Sequence, residues 1–212
     1  MAPDPTFLLS AFVTLFVVMD PVGMAPLFVA LTQGEEAARR RAIAVRACLI
    51  ALAILTLFGL AGEAVLGFVG ISMPAFRIAG GILLFLTALE MLFERRSRRR
   101  RRNAEDEEDR PDPSVFPLAI PLIAGPGAIA SMILLAGQAP EEARALHLLG
   151  VHLVMALVLA LVLALFLAAG LIERALGATG ILVVTRLLGM LLAALSVQFV
   201  LDGLAGAGFM PG

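Results

Sequence analysis

The sequence predicts an all-α integral membrane protein whose six transmembrane helices form two inverted three-helix repeats, with the first and fourth helices discontinuous. Three observations predict this fold. Hydrophobic residues make up 60% of the chain and charged residues 16%, whereas soluble domains contain about 45–50% apolar and 25% charged residues. The chain also contains an internal repeat, and each copy has a helix break at the matching position. A lipid bilayer is therefore the expected environment.

Apolar stretches of about 20 residues, the length that a transmembrane helix requires, alternate with short polar segments. The predicted spans are 6–32, 42–62, 71–93, 114–137, 145–171 and 181–205. The amino terminus lacks the basic region of a secretory signal, so we expect the first span to be retained. Cys48 is the one cysteine, which excludes an internal disulfide.

The internal repeat relates residues that lie about 105–110 positions apart. Matching residues include Glu63 and Glu173, Arg77 and Arg186, Gly80 and Gly189, and Pro21 and Pro126. Because each copy has three spans, the second copy enters the membrane from the opposite face, as in secondary transporters. We therefore divide the chain into repeat 1 (6–93), a charged linker (94–113) and repeat 2 (114–206).

The distribution of arginine predicts the orientation in the membrane, since all 16 basic residues are arginines. Most of them lie in the first, third and fifth loops, and Arg144 alone lies in a loop on the other side. By the positive-inside rule, the arginine-rich loops are cytoplasmic and both termini are outside. The linker 94–113 is expected to be a solvated cytoplasmic loop that fixes topology, or alternatively a contact with anionic lipid.

Proline and glycine interrupt the first span at 20–26 and the fourth at 117–127. Backbone groups released at membrane depth must be buried in protein or line a wet cavity, and paired breaks in inverted halves indicate a transporter's binding site. Ordinary proline kinks are the alternative. The predicted substrate-binding residues are Asp20, Pro21, Val22, Gly23, Met24, Ala124, Gly125, Pro126, Gly127 and Ala128.

Asp20 is the acidic residue nearest the centre of a span, where an ionisable side chain is a functional candidate. It is predicted to bind a substrate amino group, to carry a coupling proton, or to cap the half-helix that starts at Pro21. Half-helix starts suit a carboxylate, and half-helix ends suit an ammonium group or a cation. A small zwitterion complements both.

Further polar residues in the spans are assigned structural or gating roles. Arg77 and Arg186 each follow the glutamate of their repeat, Glu63 or Glu173, and are predicted to form two symmetry-related ion pairs or carbonyl clamps, with a gate as the alternative. Gln198 and Asp202 lie four residues apart on one helical face. His147 and His152 are the two histidines, too few for a metal site, so no metal is expected.

The motifs at 20–28, 117–129 and 186–203 together resemble the MarC family of bacterial and archaeal membrane proteins, and the resemblance covers 6–206. It implies a six-helix inner-membrane protein related to transporters of small neutral amino acids such as glycine and alanine. Family members often have Asn where this chain has Met24, which implies a difference in specificity if that Asn contacts substrate.

We therefore expect a secondary transporter of small neutral amino acids that works by alternating access. The alternative is a channel or an exporter for another small solute. We expect no enzymatic activity, no cofactor other than a possible coupling H⁺ or Na⁺, and no nucleic-acid partner. An enzyme acting on lipid lacks convergent catalytic groups, and a scaffold or sensor would not need the breaks. The expected partners are a small-molecule substrate and the bilayer, and the oligomeric state stays open.

Overall fold

A computed structural model describes residues 4–93, 112–139 and 141–209, and these parts of the chain are helical and contain no strand. The helices are α1 (Pro5–Met19), α2 (Pro21–Leu31), α3 (Ala37–Val69), α4 (Met73–Leu92), α5 (Pro126–Ala136), α6 (Arg144–Leu167) and α7 (Ala169–Gly206). Ser114–Ile123, here called the proline segment, is a wide helical stretch with extended backbone at Phe116 and Ile120. A 3₁₀ turn, Glu141–Ala143, precedes α6. Residues 94–111 of the predicted linker lie outside the described residues.

Five described stretches are long and apolar enough to cross a membrane: Pro5–Leu31, Ala37–Val69, Met73–Leu92, Arg144–Leu167 and Arg174–Gly206. The proline segment and α5 form a sixth candidate, bent by 55°. An all-helical fold with five or six candidate membrane spans is therefore confirmed.

The second span is longer than predicted, because α3 continues through Glu63 to Val69. Gly70 ends this helix in the left-handed conformation, with φ at 81°. The N–H of Ile71 donates to the Leu66 carbonyl at 2.9 Å, and the N–H of Gly70 donates to the Gly67 carbonyl at 3.1 Å. Glycine adopts this conformation without steric penalty. The helix therefore ends at the Gly70 cap, and not before the charged residue Glu63, where the predicted span ends.

The main packing pairs keep their pattern when the elements of the two halves are exchanged. α4 packs on α7, and α3 packs on α6. The contact of α2 with α7 corresponds to the contact of α5 with α4. The contact of α3 with α5 corresponds to that of α6 with α2, and the contact of α3 with the proline segment corresponds to that of α6 with α1. Glycines bring α4 and α7 close together, since a Cβ on Gly81 would lie 2.8 Å from the Ser196 carbonyl oxygen.

The short helices next to the two breaks lie at the centre of the bundle. On α5, residues 130–136 are all buried. The longer helices instead expose large apolar side chains such as Leu57 on α3, Leu157 on α6 and Leu191 on α7, as expected for surfaces that face lipid. The fold therefore buries most residues of both breaks, although Pro126 of the second break is exposed.

Candidate functional site at the two helix breaks

Asp20 separates α1 from α2 and is the single non-glycine residue with positive φ (52°) within 4–93, 112–139 and 141–209. Its side chain is buried, with 1% exposure. Its N–H donates to the Phe16 carbonyl at 3.0 Å, and its Oδ1 accepts from the N–H of Gly23 at 3.1 Å. Aspartate tolerates the left-handed region because its short polar side chain forms local hydrogen bonds. Asp20 therefore ends α1 and caps α2.

Gly23 makes room for the Asp20 carboxylate. A Cβ on Gly23 would lie 2.2 Å from Asp20 Oδ2. Pro21 occupies the first position of α2, where its missing N–H has no consequence for helix hydrogen bonding. Of the other predicted site residues here, Met24 is fully buried and Val22 is partly buried.

The second break lies between the proline segment and α5. Gly125 is the N-cap of α5 in an extended conformation, and no side chain in the described ranges caps this helix. The N–H of Ile129 donates to the Gly125 carbonyl at 3.0 Å. The N–H groups of Gly127 and Ala128 precede this first intrahelical bond and have no helical carbonyl to bind. Both residues are buried, whereas Pro126 at the start of the helix is exposed, so α5 begins with an uncapped terminus at the edge of the buried region.

Gly125 is required by the backbone of the break itself. A Cβ there would lie 2.4 Å from the carbonyl oxygen of Pro121. Neighbouring Ala124 is buried with 2% exposure, and Pro126 takes the first position of α5. Residues 124–128 thus present backbone and side chains no larger than a methyl group, apart from the ring of Pro126.

The two breaks are adjacent in space. A Cβ on Gly127 would lie 3.2 Å from Val18 Cγ1, 3.3 Å from Leu84 Cδ2 and 3.8 Å from Thr87 Oγ1. Val18 lies two residues before Asp20, so the first turn of α5 packs against the end of α1. A helix N-terminus carries a partial positive charge. The structure therefore places the uncapped, positive end of α5 against the end of α1, two residues before Asp20.

The charged residues assigned structural or gating roles lie away from the breaks, and Glu63 has a different partner from the predicted one. Glu63 Oε2 lies 2.6 Å from Arg144 Nη2, so the ion pair joins the two halves instead of linking Glu63 to Arg77. An ion pair between Glu63 and Arg77 is therefore not seen, because α3 continues as a helix beyond Glu63 and carries this side chain against the start of α6. The carbonyl clamp and the gate stay predictions for Arg77.

The remaining members of this group have separate environments. Arg77 is partly buried, and its Nε has no hydrogen-bond partner among the described residues. Arg186 is exposed on α7. Gln198 Nε2 donates to Asp202 Oδ1 at 2.7 Å, and both residues are exposed. The side chain of Glu173 lies outside the described residues, so its predicted pairing stays a prediction.

A second ion pair between the halves joins Arg46 at the start of α3 to Asp112, just before the proline segment. Asp112 Oδ1 also accepts from the N–H of Ser114 at 3.0 Å. Hydrogen bonds from Ser114, together with those from Arg46 and its positive charge, hold the pKa of Asp112 below the ordinary value.

A repeated sequence motif marks Asp112. Pro-Asp-Pro-Thr at 3–6 recurs 108 positions later as Pro-Asp-Pro-Ser at 111–114. Asp4 Oδ1 accepts from the N–H of Thr6 at 3.2 Å, just as Asp112 accepts from Ser114. Each half therefore begins with the same aspartate hydrogen bond.

The two histidines bind backbone carbonyl groups. His147 Nε2 lies 2.9 Å from the Leu135 carbonyl oxygen, and His152 Nδ1 lies 2.7 Å from that of Leu148. Within the described ranges, no group of three or more His, Cys, Asp or Glu side chains is placed to hold a metal ion.

Comparison with known proteins assigns the family. A family model described as "MarC family integral membrane protein" matches residues 5–208. The chain belongs to the MarC family. It is therefore a multi-pass membrane protein, in agreement with its candidate spans.

Curated MarC relatives extend over nearly the same length. The chain is 39% identical over 199 residues to the UPF0056 inner membrane protein YhgN of Escherichia coli, covering 93% of this chain and 95% of that protein. It is 40% identical over 201 residues to a UPF0056 membrane protein of Archaeoglobus fulgidus, covering 94% and 93%. It is 36% identical over 205 residues to YvbG of Bacillus subtilis, covering 95% of each. No solved structure matches the chain.

Proposed function

We propose that this MarC protein is a secondary transporter that moves small neutral amino acids, such as glycine and alanine, by alternating access. The observation that carries the proposal is the adjacency of the two breaks, which packs the uncapped start of α5 against the end of α1, two residues before buried Asp20. A helix N-terminus attracts a carboxylate, and an aspartate attracts an ammonium group. An amino acid presents both groups on one small molecule.

The lining of the breaks supports a small substrate. Ala124, Gly125, Gly127 and Ala128 present at most a methyl group, so no long side chain of these residues covers the start of α5. Pro21, Val22, Gly23 and Met24 are proposed to complete the site from α2, and Pro126 from α5. Met24 is the largest flexible side chain of this set, and we propose that it limits substrate size.

The packing pattern supports an inverted repeat with discontinuous first and fourth spans. The main helix pairs are preserved when the halves are exchanged. The glycine contacts follow the same rule, because Gly81 of α4 packs against Ser196 of α7 while Gly189 of α7 packs against Met91 of α4. Transporters with such repeats work by rocking one unit against another around a central site.

The ion pairs support the proposed arrangement of the loops on two sides of the membrane. Glu63 and Arg144 are assigned to the outer face, and Arg46 and Asp112 to the cytoplasmic face; each pair joins residues that this topology places on one side. The E. coli relative is named an inner membrane protein. We propose the same location here, with both termini outside, the linker cytoplasmic, H⁺ or Na⁺ as the coupling ion, and no enzymatic activity.

Uptake by proteoliposomes tests the proposed function. Purified protein is reconstituted and loaded with unlabelled glycine or alanine, and the entry of the labelled amino acid is measured against protein-free liposomes. We expect counterflow, and net uptake that depends on a Na⁺ or pH gradient. Flux without counterflow or ion dependence would favour the channel alternative. Absence of both flux and binding to purified protein would refute amino-acid transport.

A further inference from the structure

Ser131 is a buried serine whose hydroxyl has no hydrogen-bond partner among the described residues. It lies on α5 with 0% exposure. Serines in membrane helices commonly satisfy their hydroxyl with a backbone carbonyl one turn earlier. Ser196 on α7 does so, since its Oγ donates to the Ala193 carbonyl at 2.7 Å. Leaving a buried hydroxyl unpaired is costly, so a ligand that accepts a hydrogen bond from Ser131 would remove this cost.

The position of Ser131 relates this hydroxyl to the uncapped start of α5. Ser131 follows Gly127 by four residues, so both lie on the same face of the helix. At Gly127 this face packs against Val18 at the end of α1, next to Asp20. Ser131 is therefore one helical turn from the unbound N–H groups of Gly127 and Ala128, on the face that packs against the end of α1 and against Leu84 of α4.

Other buried polar atoms without partners lie at different places in the fold. They include Thr185 Oγ1 on α7, His152 Nε2 on α6 and Arg77 Nε on α4. None of these atoms lies on a helix that both begins at a break and lacks a side-chain cap, as α5 does. Two independent features, an uncapped buried terminus and an unpaired buried hydroxyl, coincide on α5.

We propose that Ser131 is a specificity-determining residue that donates a hydrogen bond to the carboxylate of the transported amino acid. The N–H groups of Gly127 and Ala128 bind the same carboxylate, and the hydroxyl extends this set of donors along α5. The inference rests on the proposed function. It predicts that ligands without a carboxylate bind poorly and are insensitive to the residue at position 131.

The test compares Ser131→Ala with Ser196→Ala, since both replace a buried serine in a helix and only one hydroxyl lacks a partner. The probe is labelled glycine, and the KM of uptake is measured in proteoliposomes. A hydrogen bond to a charged group corresponds to about a tenfold change in affinity or more. We expect Ser131→Ala to raise KM about tenfold and Ser196→Ala to leave it within about twofold.

Thermal unfolding separates substrate contact from a structural role. Without glycine, Ser131→Ala should unfold at the wild-type temperature or above, because the change removes an unpaired buried hydroxyl. Added glycine should then shift the melting temperature less than in the wild type, following the weaker binding. Ser131→Cys preserves the size of the side chain with a weaker donor, and an intermediate KM is expected even if the alanine variant expresses poorly.

Each outcome decides the inference. If the wild type transports glycine and both Ser131 variants retain its KM, the inference is wrong and the proposed function stands. An equal rise in KM for Ser131→Ala and Ser196→Ala would also refute it, because the effect would then be one of packing. If the wild type neither transports nor binds glycine or alanine, the proposed function fails first and the inference fails with it.

Discussion

The two breaks occupy matching positions in the two halves, yet they treat the start of the following helix in opposite ways. At the first break, Asp20 places its own carboxylate over the N-terminus of α2. At the second break, Gly125 has no side chain and the N-terminus of α5 is left uncapped. One half thus caps its helix start with a carboxyl side chain, and the other leaves its helix start without a side-chain cap. The zwitterionic substrate that we propose would use this asymmetry.

The glycines of the two breaks also serve different purposes. Gly23 leaves space for a side chain, since the closest atom to its Cβ position is Asp20 Oδ2. Gly125 leaves space for the backbone, since the closest atom there is the Pro121 carbonyl oxygen. A side chain can be removed by mutation, whereas a backbone carbonyl cannot. The two positions should therefore respond differently to the same substitution.

The largest effect is expected for Gly125→Ala. The new Cβ would lie 2.4 Å from the Pro121 carbonyl oxygen, so the break must shift. Overpacking of this kind destabilises proteins by about 1–3 kcal/mol, and we expect glycine uptake to fall more than about tenfold because the α5 terminus moves. Gly67→Ala is the control, since nothing lies within 4 Å of its Cβ position. Normal uptake by Gly125→Ala would show that the geometry of this break is not needed.

Gly23→Ala tests the other side of the comparison. We expect it to lower the melting temperature, because the Cβ would meet the Asp20 carboxylate at 2.2 Å. Adding Asp20→Gly should restore the melting temperature, since glycine accepts the positive φ of position 20. The double variant should still transport poorly because it lacks the carboxylate. If the second change gives no recovery, the Asp20 side chain is not what excludes a Cβ at position 23.

Asp20→Asn separates the charge of Asp20 from its role as a helix cap. Asparagine tolerates the left-handed conformation and retains an acceptor for the Gly23 N–H. We expect the melting temperature to change little while the glycine uptake rate falls at least about tenfold, because the ammonium group loses its counter-ion. Asp20→Ala loses the cap as well, at about 1 kcal/mol. Wild-type uptake by Asp20→Asn would assign this residue to capping alone.

The sequence was sufficient to locate the breaks but not to distinguish them fully. Proline and glycine at 20–26 and 117–127 are local signals, because they act on the backbone of their own segment. The duplication also indicated that the breaks correspond. The absence of a cap on α5 and the unpaired hydroxyl of Ser131 depend on which side chains surround a point in space, and residue order alone does not contain that information.

Long-range ion pairs escaped prediction for the same reason. Glu63 and Arg144 are 81 positions apart, and Arg46 and Asp112 are 66 positions apart. The prediction assigned Glu63 to the arginine that follows it in its own repeat. Two halves that interlock, as in the packing of α3 on α6, instead favour partners from opposite halves. The repeated Pro-Asp-Pro motif could have directed attention to Asp112, though not to Arg46 as its partner.

The Glu63–Arg144 pair tests whether the two halves are joined electrostatically. The two side chains are 42% and 41% exposed, and pairs of this kind contribute about 0.2–1 kcal/mol. A double-mutant cycle of Glu63→Gln and Arg144→Gln, followed by denaturant unfolding in detergent micelles, should give a coupling energy in that range. The same cycle with Glu63 and Arg77 should give no coupling. Coupling only to Arg77 would restore the original prediction.

The smallest effect concerns the aspartates that begin the two halves, Asp4 and Asp112. Hydrogen bonds from Ser114 and the presence of Arg46 lower the pKa of Asp112 from its ordinary value of 3.8. Since the folded-state pKa lies below the unfolded one, the stabilisation is fully present above about pH 4 and is lost as the pH falls through the folded-state value. Asp112→Asn should therefore lower the melting temperature at pH 6 and converge with the wild type in acid.

The expected stability difference for Asp112→Asn is below about 1 kcal/mol, because the carboxylate is partly exposed and screened by solvent. Asp4→Asn is the matched control, since Asp4 begins the same motif and bonds the second residue after it in the same way. Arg46→Gln should reproduce part of the Asp112→Asn effect. Folding favours the charged form of Asp112, so the stability difference between the wild type and Asp112→Asn should shrink as the pH falls. A difference that grows instead would exclude the Asp112 ion pair as its cause.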